Sequence, residues 1–177
     1  SELSKSIVQD IISEENLKVM FSGRFQPFSK HHFDAYTKLC EQFGKENVYV
    51  CTSNKTQDFI SQFNFTEKKK IIKSLYNINH IYEVKNPYNV QEVIKELKDD
   101  TNIIVYALGD KDSQRIQTKK KDGTLGYLQK YEENINNLKP IKEHSYFLTM
   151  DNITYNDNIL SSSDVRNKLL KGVTQEQ

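Results

Sequence analysis

The chain has 177 residues, with 25 Lys plus Arg against 24 Asp plus Glu and a formal net charge of +1. That length suits one domain with a substantial core, and the near balance of charge disfavours a nucleic-acid-coating protein, where a clearly basic domain is expected. No apolar run approaches the ~20 residues of a membrane-spanning helix, and the N-terminal run SELSKSIVQDIISEEN lacks the basic start and apolar block of a secretory signal, so the expectation is a cytoplasmic protein with no membrane partner.

Leu3, Ile7, Ile11 and Ile12 recur at helical intervals and predict an amphipathic helix near residues 2–14. Its pattern leaves open whether it packs on the domain or mediates self-association into a homo-oligomer. The run 17-LKVMFS-22, ending at Gly23, reads as a buried strand. Phe33, Tyr36, Leu39, Cys40 and Phe43 mark one face of a helix closed by Gly44, and 48-VYVCTS-53 is a second strand. A strand–helix–strand unit of this kind predicts parallel strands with a right-handed connection. The two cysteines, Cys40 and Cys51, show no metal-type spacing and read as buried thiols.

Residues 66–76 predict a helix with Thr66 as N-cap and Ile71, Ile72 and Leu75 facing inward. A weak strand at 81–85 leads to a helix carrying Val90, Val93, Ile94 and Leu97. The run 103-IIVYAL-108 is the most strand-like in the chain. The basic stretch 111–126 is the longest candidate loop, and Lys119–Lys121 within it suggest either a lid over phosphates or a solvated loop. A helix near 127–138, a strand near 145–149 and a serine-capped helix over 161–172 complete the chain. Alternating elements with mostly unalternated apolar strands predict an α/β fold with a parallel sheet covered on both faces. No internal repeat or linker divides it, so residues 1–16 read as an N-terminal helix and 17–177 as a single domain.

Ligands of open parallel sheets bind beyond the carboxyl ends of the strands. The first such turn is 22-SGRFQPFSKHH-32. Gly23 permits close backbone approach, and a helix starting near Ser29 offers N–H groups and a positive dipole end to a phosphate. Arg24 adds a fixed charge, and His31 and His32 add imidazole donors; the plainer reading leaves these histidines facing solvent. Near the other end, 160-LSSSDVR-166 places Ser161, Ser162 and Ser163 at a helix start, with Arg166 one turn along the same face. The plainer reading there is a capped helix with a surface arginine.

The first string closely resembles the GRFQPFHxGH signature of the nucleotidyltransferase superfamily that includes nicotinamide-mononucleotide adenylyltransferases and cytidylyltransferases. Gly23 through Phe28 match without a gap and His32 falls on the second family histidine. Two positions depart: Ser29 stands at the first family histidine and His31 at the glycine. The serine run with Arg166 resembles the ISSTxxR motif of the same superfamily. The middle segments 52-TSNK-55 and 62-QFNF-65 are similar to those of its phage-type, cytidylyltransferase-like members, with Gln62 in place of proline.

The resemblance implies a Rossmann-like three-layer sandwich of the HUP-type nucleotidyltransferase fold over residues 17 to about 170. It implies transfer of a nucleoside monophosphate from ATP or CTP to a phosphorylated small-molecule acceptor, with pyrophosphate leaving. Mg²⁺ is expected with the nucleotide rather than in a protein-held metal site. In this scheme Gly23 and Phe25 offer backbone contacts and His32 donates to the transferring phosphate. Ser161–Ser163 and Arg166 hold the pyrophosphate, and Lys55 steadies charge on a substrate. Asp110, in the 109-GDKD-112 turn, holds the base, the ribose or a metal-bound water, as Asp112 also could. Arg24 and Gln26 either contact the nucleotide or brace the turn. Losing one transition-state donor typically costs ~2.7–4 kcal/mol, so Ser29 matters. Either the clamp is modified, with Ser29 donating one hydrogen bond or His31 substituting, or activity is impaired, or Ser29 is an introduced change. The rival reading is a nucleotide-binding protein without catalysis.

Overall fold

The computed structural model describes residues 16–57 and 62–150. The helices expected over 2–14 and 161–172, and with the latter Ser161–Ser163 and Arg166, lie outside the described residues. Six strands form one sheet: β1 (Leu17–Ser22), β2 (Val48–Thr52), β3 (Ile81–Glu83), β4 (Ile103–Leu108), β5 (Leu128–Lys130) and β6 (Ser145–Thr149). Their order is β3-β2-β1-β4-β6-β5, and every pairing is parallel. The helices are α1 (Lys30–Phe43), α2 (Phe65–Tyr76), α3 (Asp110–Gln114) and α4 (Tyr131–Asn134). This is a Rossmann-like α/β fold. The chain winds outward from β1 in one direction through β2 and β3, and in the other through β4. The crevice between the ends of β1 and β4 is therefore the topological switch point at which such sheets bind ligands.

Burial explains why the central strands are apolar throughout. All six residues of β4 are buried, alternating between two cores. Ile103, Val105 and Ala107 join Val19, Phe21, Val50 and the inner face of α1 on one side. Ile104, Tyr106 and Leu108 join Met20, Cys51 and Val84 on the other. Helix α1 buries Ala35, Tyr36 and Leu39 and ends at Gly44, whose φ of 93° suits glycine. Both cysteines are free thiols, Cys51 buried and Cys40 half-buried.

Four expectations are corrected here. In α2 the N-cap is Asn64, whose side chain accepts from the Glu67 N–H, not Thr66. The inward stripe is Lys68 and Ile72, while Leu75 is 66 % exposed and Ile71 only half-buried. The helix expected around Val90–Leu97 is a short 3₁₀ turn, Val90–Glu92, followed by turns. Glu92 is drawn back to accept from the Lys85 and Asn86 N–H groups, and the Lys98 N–H donates to Asn102 Oδ1 instead of entering a helical ladder. The helix expected near 127–138 begins instead as edge strand β5, paired with β6, with only four residues of helix after it.

The basic stretch 111–126 is also not one open loop. It starts in α3, then folds into a tight hairpin with Lys119 bridged to Leu125. Buried Gln129 donates to the carbonyls of Thr118 and Gly126 at 2.8 Å each and pins the hairpin's base. Among the described residues no helix is long and apolar enough to cross a membrane.

Candidate active site at the β1–β4 switch point

The turn leaving β1 is built on aromatic packing. Phe25 has φ 46°, in the left-handed region that a non-glycine residue occupies only when its surroundings hold it there. Here its ring is buried edge-on against Phe21 and Phe28, with centroids 5.3 and 4.9 Å away. A Cβ on Gly23 would lie 2.7 Å from Cε1 of that ring, so glycine makes room for Phe25. The Gly23 N–H donates to the Cys51 carbonyl at 3.2 Å, which ties the turn to β2 and commits that donor. Gln26 is buried and doubly engaged. Its Nε2 donates to the Phe63 carbonyl and its Oε1 accepts the Phe63 N–H, both at 2.7 Å. It braces the turn against the segment entering α2.

Ser29 is the N-cap of α1 and is buried. Its backbone N–H donates to His32 Nδ1 at 2.9 Å. That bond requires a lone pair on Nδ1, so neutral His32 carries its proton on Nε2 and is a donor there. Burial first, and then the neighbouring His31, lower the His32 pKa to about 3. The ring packs against Phe25 and Phe28 with centroids 5.1 and 5.3 Å away. Ser29 Oγ lies 2.8 Å from His31 Nδ1 and 3.0 Å from His32 Nδ1. The two imidazole rings stand 4.2 Å apart, tilted by 38°. Ser29, His31 and His32 thus form one cluster at the start of α1.

Two cavities open beside this turn. One, of about 260 Å³, lies over the ends of β1, β2 and β4, between Arg24, Lys55, Lys85, Tyr88 and Asp112. The Ser22 hydroxyl is buried and lines this cavity next to the Cys51 thiol. The other, of about 540 Å³, shares Arg24, Ser53 and Lys55 with it and extends to Gln26 and Lys68. Lys55 and Arg24 therefore line both. Of the two aspartates in the GDKD turn, Asp112 lines the first cavity, 3.8 Å from Arg115, while Asp110 is the exposed first residue of α3. Asp112 thus stands nearer the site than Asp110.

Sequence reasoning missed Lys68. It is 1 % exposed, and its Nζ donates to Thr52 Oγ1 at 3.0 Å and to the Ser53 carbonyl at 2.7 Å. The signal was available in helical phase, since Lys68 stands four residues before buried Ile72 and so on the same face. Tyr88, whose edge meets Tyr106 at 5.3 Å, was missed as well.

Comparison with known proteins agrees with this fold. The family profile described as "Cytidylyltransferase-like" matches residues 20–168, most of the chain. A bifunctional NMN adenylyltransferase/ADP ribose pyrophosphatase from Francisella tularensis superposes with a TM-score of 0.54 at 19 % identity, over 89 % of this chain and 43 % of that one. This chain thus spans less than half the length of that protein, and the likeness is one of fold. A protein assigned as a nicotinate-nucleotide adenylyltransferase from Vibrio parahaemolyticus gives a TM-score of 0.48 at 15 % identity, over 89 % of this chain and 88 % of that one. No curated protein sequence matches.

Proposed function

The chain belongs to the cytidylyltransferase-like family, a nucleotidyltransferase family, and from that premise we propose that it moves a nucleoside monophosphate from ATP or CTP to a phosphorylated small-molecule acceptor. The observation that carries this reading is one turn at the β1–β4 switch point whose Gly23 and Arg24 line a basic cleft and whose far end, at the start of α1, holds the Ser29, His31 and His32 cluster. None of those three lines the cleft itself. An acceptor phosphate oxygen attacks the α-phosphorus, a new P–O bond forms, the bond to the β-phosphate oxygen breaks and pyrophosphate leaves. No protein nucleophile takes part, so the residues act by positioning and by stabilising charge.

His32 is the donor to the transferring phosphate through Nε2–H. Being neutral, it donates without needing to be protonated first. Ser29 and His31 share the place of the family's first histidine. Lys55 and Arg24 hold negative charge in the cleft, and Ser161–Ser163 with Arg166 take the leaving pyrophosphate, a role that rests on the motif resemblance. Gln26 acts as a brace rather than a nucleotide contact. Mg²⁺ accompanying the triphosphate would neutralise part of its charge. The cleft suits a metal-loaded nucleotide, because Asp112 offers a carboxylate beside it and Mg²⁺ typically needs only one or two beyond phosphate and water.

The test is pyrophosphate release from ATP and from CTP with a panel of phosphorylated acceptors, with the H32A variant beside the parent. The expected result is turnover with one nucleotide and a hundred- to thousandfold loss, of order ~10²–10³, in H32A. The substitution of Ser29 for histidine favours one second reading, a nucleotide-binding protein without turnover. Saturable nucleotide binding with no pyrophosphate released across the panel would decide for it.

A further inference from the structure

A fully buried lysine without a carboxylate partner needs an explanation, because burying a charge costs free energy that pairing normally offsets. Lys68 is such a residue: none of the ion pairs among the described residues includes it. Its ammonium uses two of its three donors on Thr52 Oγ1 and the Ser53 carbonyl. The third has no partner among the described residues, and the side chain lines the 540 Å³ cavity. Arg24 faces it from the β1–α1 turn and Lys55 from the exit of β2. The described lining thus carries three cations and no acid. On its own helix, neighbouring Glu67 and Lys69 are exposed.

We infer that Lys68 is a phosphate-holding residue of this cavity and, through Thr52 and Ser53, the strut that positions the β2 exit from which Lys55 reaches the cleft. Lys68 and Lys55, with neutral polar neighbours among the described lining besides Arg24, suit the compact dianion of a phosphate monoester. Thr52 Oγ1 also donates to the Arg24 carbonyl at 3.2 Å, so one hydroxyl joins the lysine to the β1 turn. Burial, then the Arg24 charge, lower the Lys68 pKa to about 8. The pocket is therefore most cationic below that pH and loses one charge as the pH rises through it. A bound dianion favours the charged lysine and by linkage moves its titration upward. That the dianion is the acceptor's phosphate rests on the transferase reading above; the anion site itself does not.

Sulfate, doubly charged throughout, is a suitable probe, with binding followed calorimetrically from about pH 7 to pH 9 and no turnover required. Wild-type affinity should hold to about pH 8 and then fall by up to about tenfold per pH unit. K68R, whose charge does not titrate, should bind without that break, and K68M should bind about tenfold more weakly at pH 7. In the unmodified protein, the Lys68 side-chain NMR titration should move up in pH when sulfate is added. An unmoved titration, or K68M binding sulfate like the parent with the same break, overturns the assignment. Because binding is read without catalysis, an inactive protein that shows the Lys68-dependent break would sink only the transferase reading.

Discussion

Ser29 Oγ lies 2.8 Å from Nδ1 of His31, a contact that draws the His31 imidazole over the cap of α1. Successive residues of an ideal helix point ~100° apart, which by itself would separate His31 from His32. The serine hydroxyl, shared between both Nδ1 atoms, brings the two rings to 4.2 Å instead. A second imidazole thus stands beside His32 although position 29 has none. Ser29 is only 2 % exposed, so S29H alone must force a ring into space bordered by His31. S29H is expected to lose about 1–3 kcal/mol of stability and to gain no turnover. S29H/H31G, with the family's own spacing, should stay within about tenfold of the parent. Thermal unfolding and pyrophosphate release on both variants check this. A single S29H more active than the parent would show that the Ser29–His31 pair does not fill the missing role.

His32 makes a separate prediction with a definite sign. Its pKa is about 3 in the folded chain against 6.5 for an unperturbed imidazole. Between those values the unfolded chain binds the extra proton and the folded chain does not. His32 therefore lowers stability as the pH falls from about 6.5 towards about 3, by at most about 1.4 kcal/mol per pH unit. H32F removes the titrating group and keeps an aromatic ring. The stability of wild type relative to H32F should decline from pH 7 to about pH 4.5, measured by urea midpoints, with no such divergence above pH 7. Parallel decline in both proteins would place the titration elsewhere.

The strands Leu17–Ser22 and Ile103–Leu108 were legible to the residue, and Ser145–Thr149 in its approximate place, because strands inside a parallel sheet show as continuous apolar runs. Helix α1 was legible for a related reason: Tyr36 and Leu39 face one core and Gly44 ends it. What failed was decided by tertiary contacts. Leu128–Lys130 carries a helix-compatible pattern but pairs with β6, and buried Gln129 holds the preceding hairpin. Glu92 abandons a helical surface position to cap the backbone of Lys85 and Asn86. In the site, the turn from Gly23 to His32 was readable as a string, and Lys55 does line the cleft. Lys68 was hidden because it sits in a run of three lysines that reads as a solvated face, and only the helical phase set by Ile72 separates it from Lys69 and Lys70.

Gly23 is required by Phe25 more than by any ligand. A Cβ there would lie 2.7 and 2.9 Å from two ring carbons of a side chain held on three sides by Phe21, Phe28 and His32. The ring cannot swing away, because its backbone is already fixed in the left-handed region. G23A should therefore cost about 1–3 kcal/mol and disturb the His32 ring that packs on Phe25. Chemical denaturation measures the first effect, and His32 ring proton shifts in NMR report the second. Unchanged stability together with weakened nucleotide binding would instead give Gly23 a role in ligand approach.

Gln26 separates bracing from binding. Both ends of its amide bond the Phe63 backbone at 2.7 Å, and the side chain is 4 % exposed. Each end of the amide keeps one further valence, a second N–H and a second lone pair, but a ligand that displaced either Phe63 bond would leave a part-buried backbone group unpaired at about 1–3 kcal/mol. Q26A removes both bonds and should cost about 2–4 kcal/mol of stability from two lost bonds and the space left behind. Q26E keeps the acceptor for the Phe63 N–H but sets a carboxylate oxygen against the Phe63 carbonyl, so it should be destabilised too, and more at neutral pH than at about pH 4, where the carboxyl can donate. If Gln26 were a nucleotide contact, Q26A would raise the nucleotide Kd while leaving the unfolding midpoint in place. The bracing role requires the reverse order: the midpoint drops first, and the Kd measured well below that midpoint stays within about threefold of the parent.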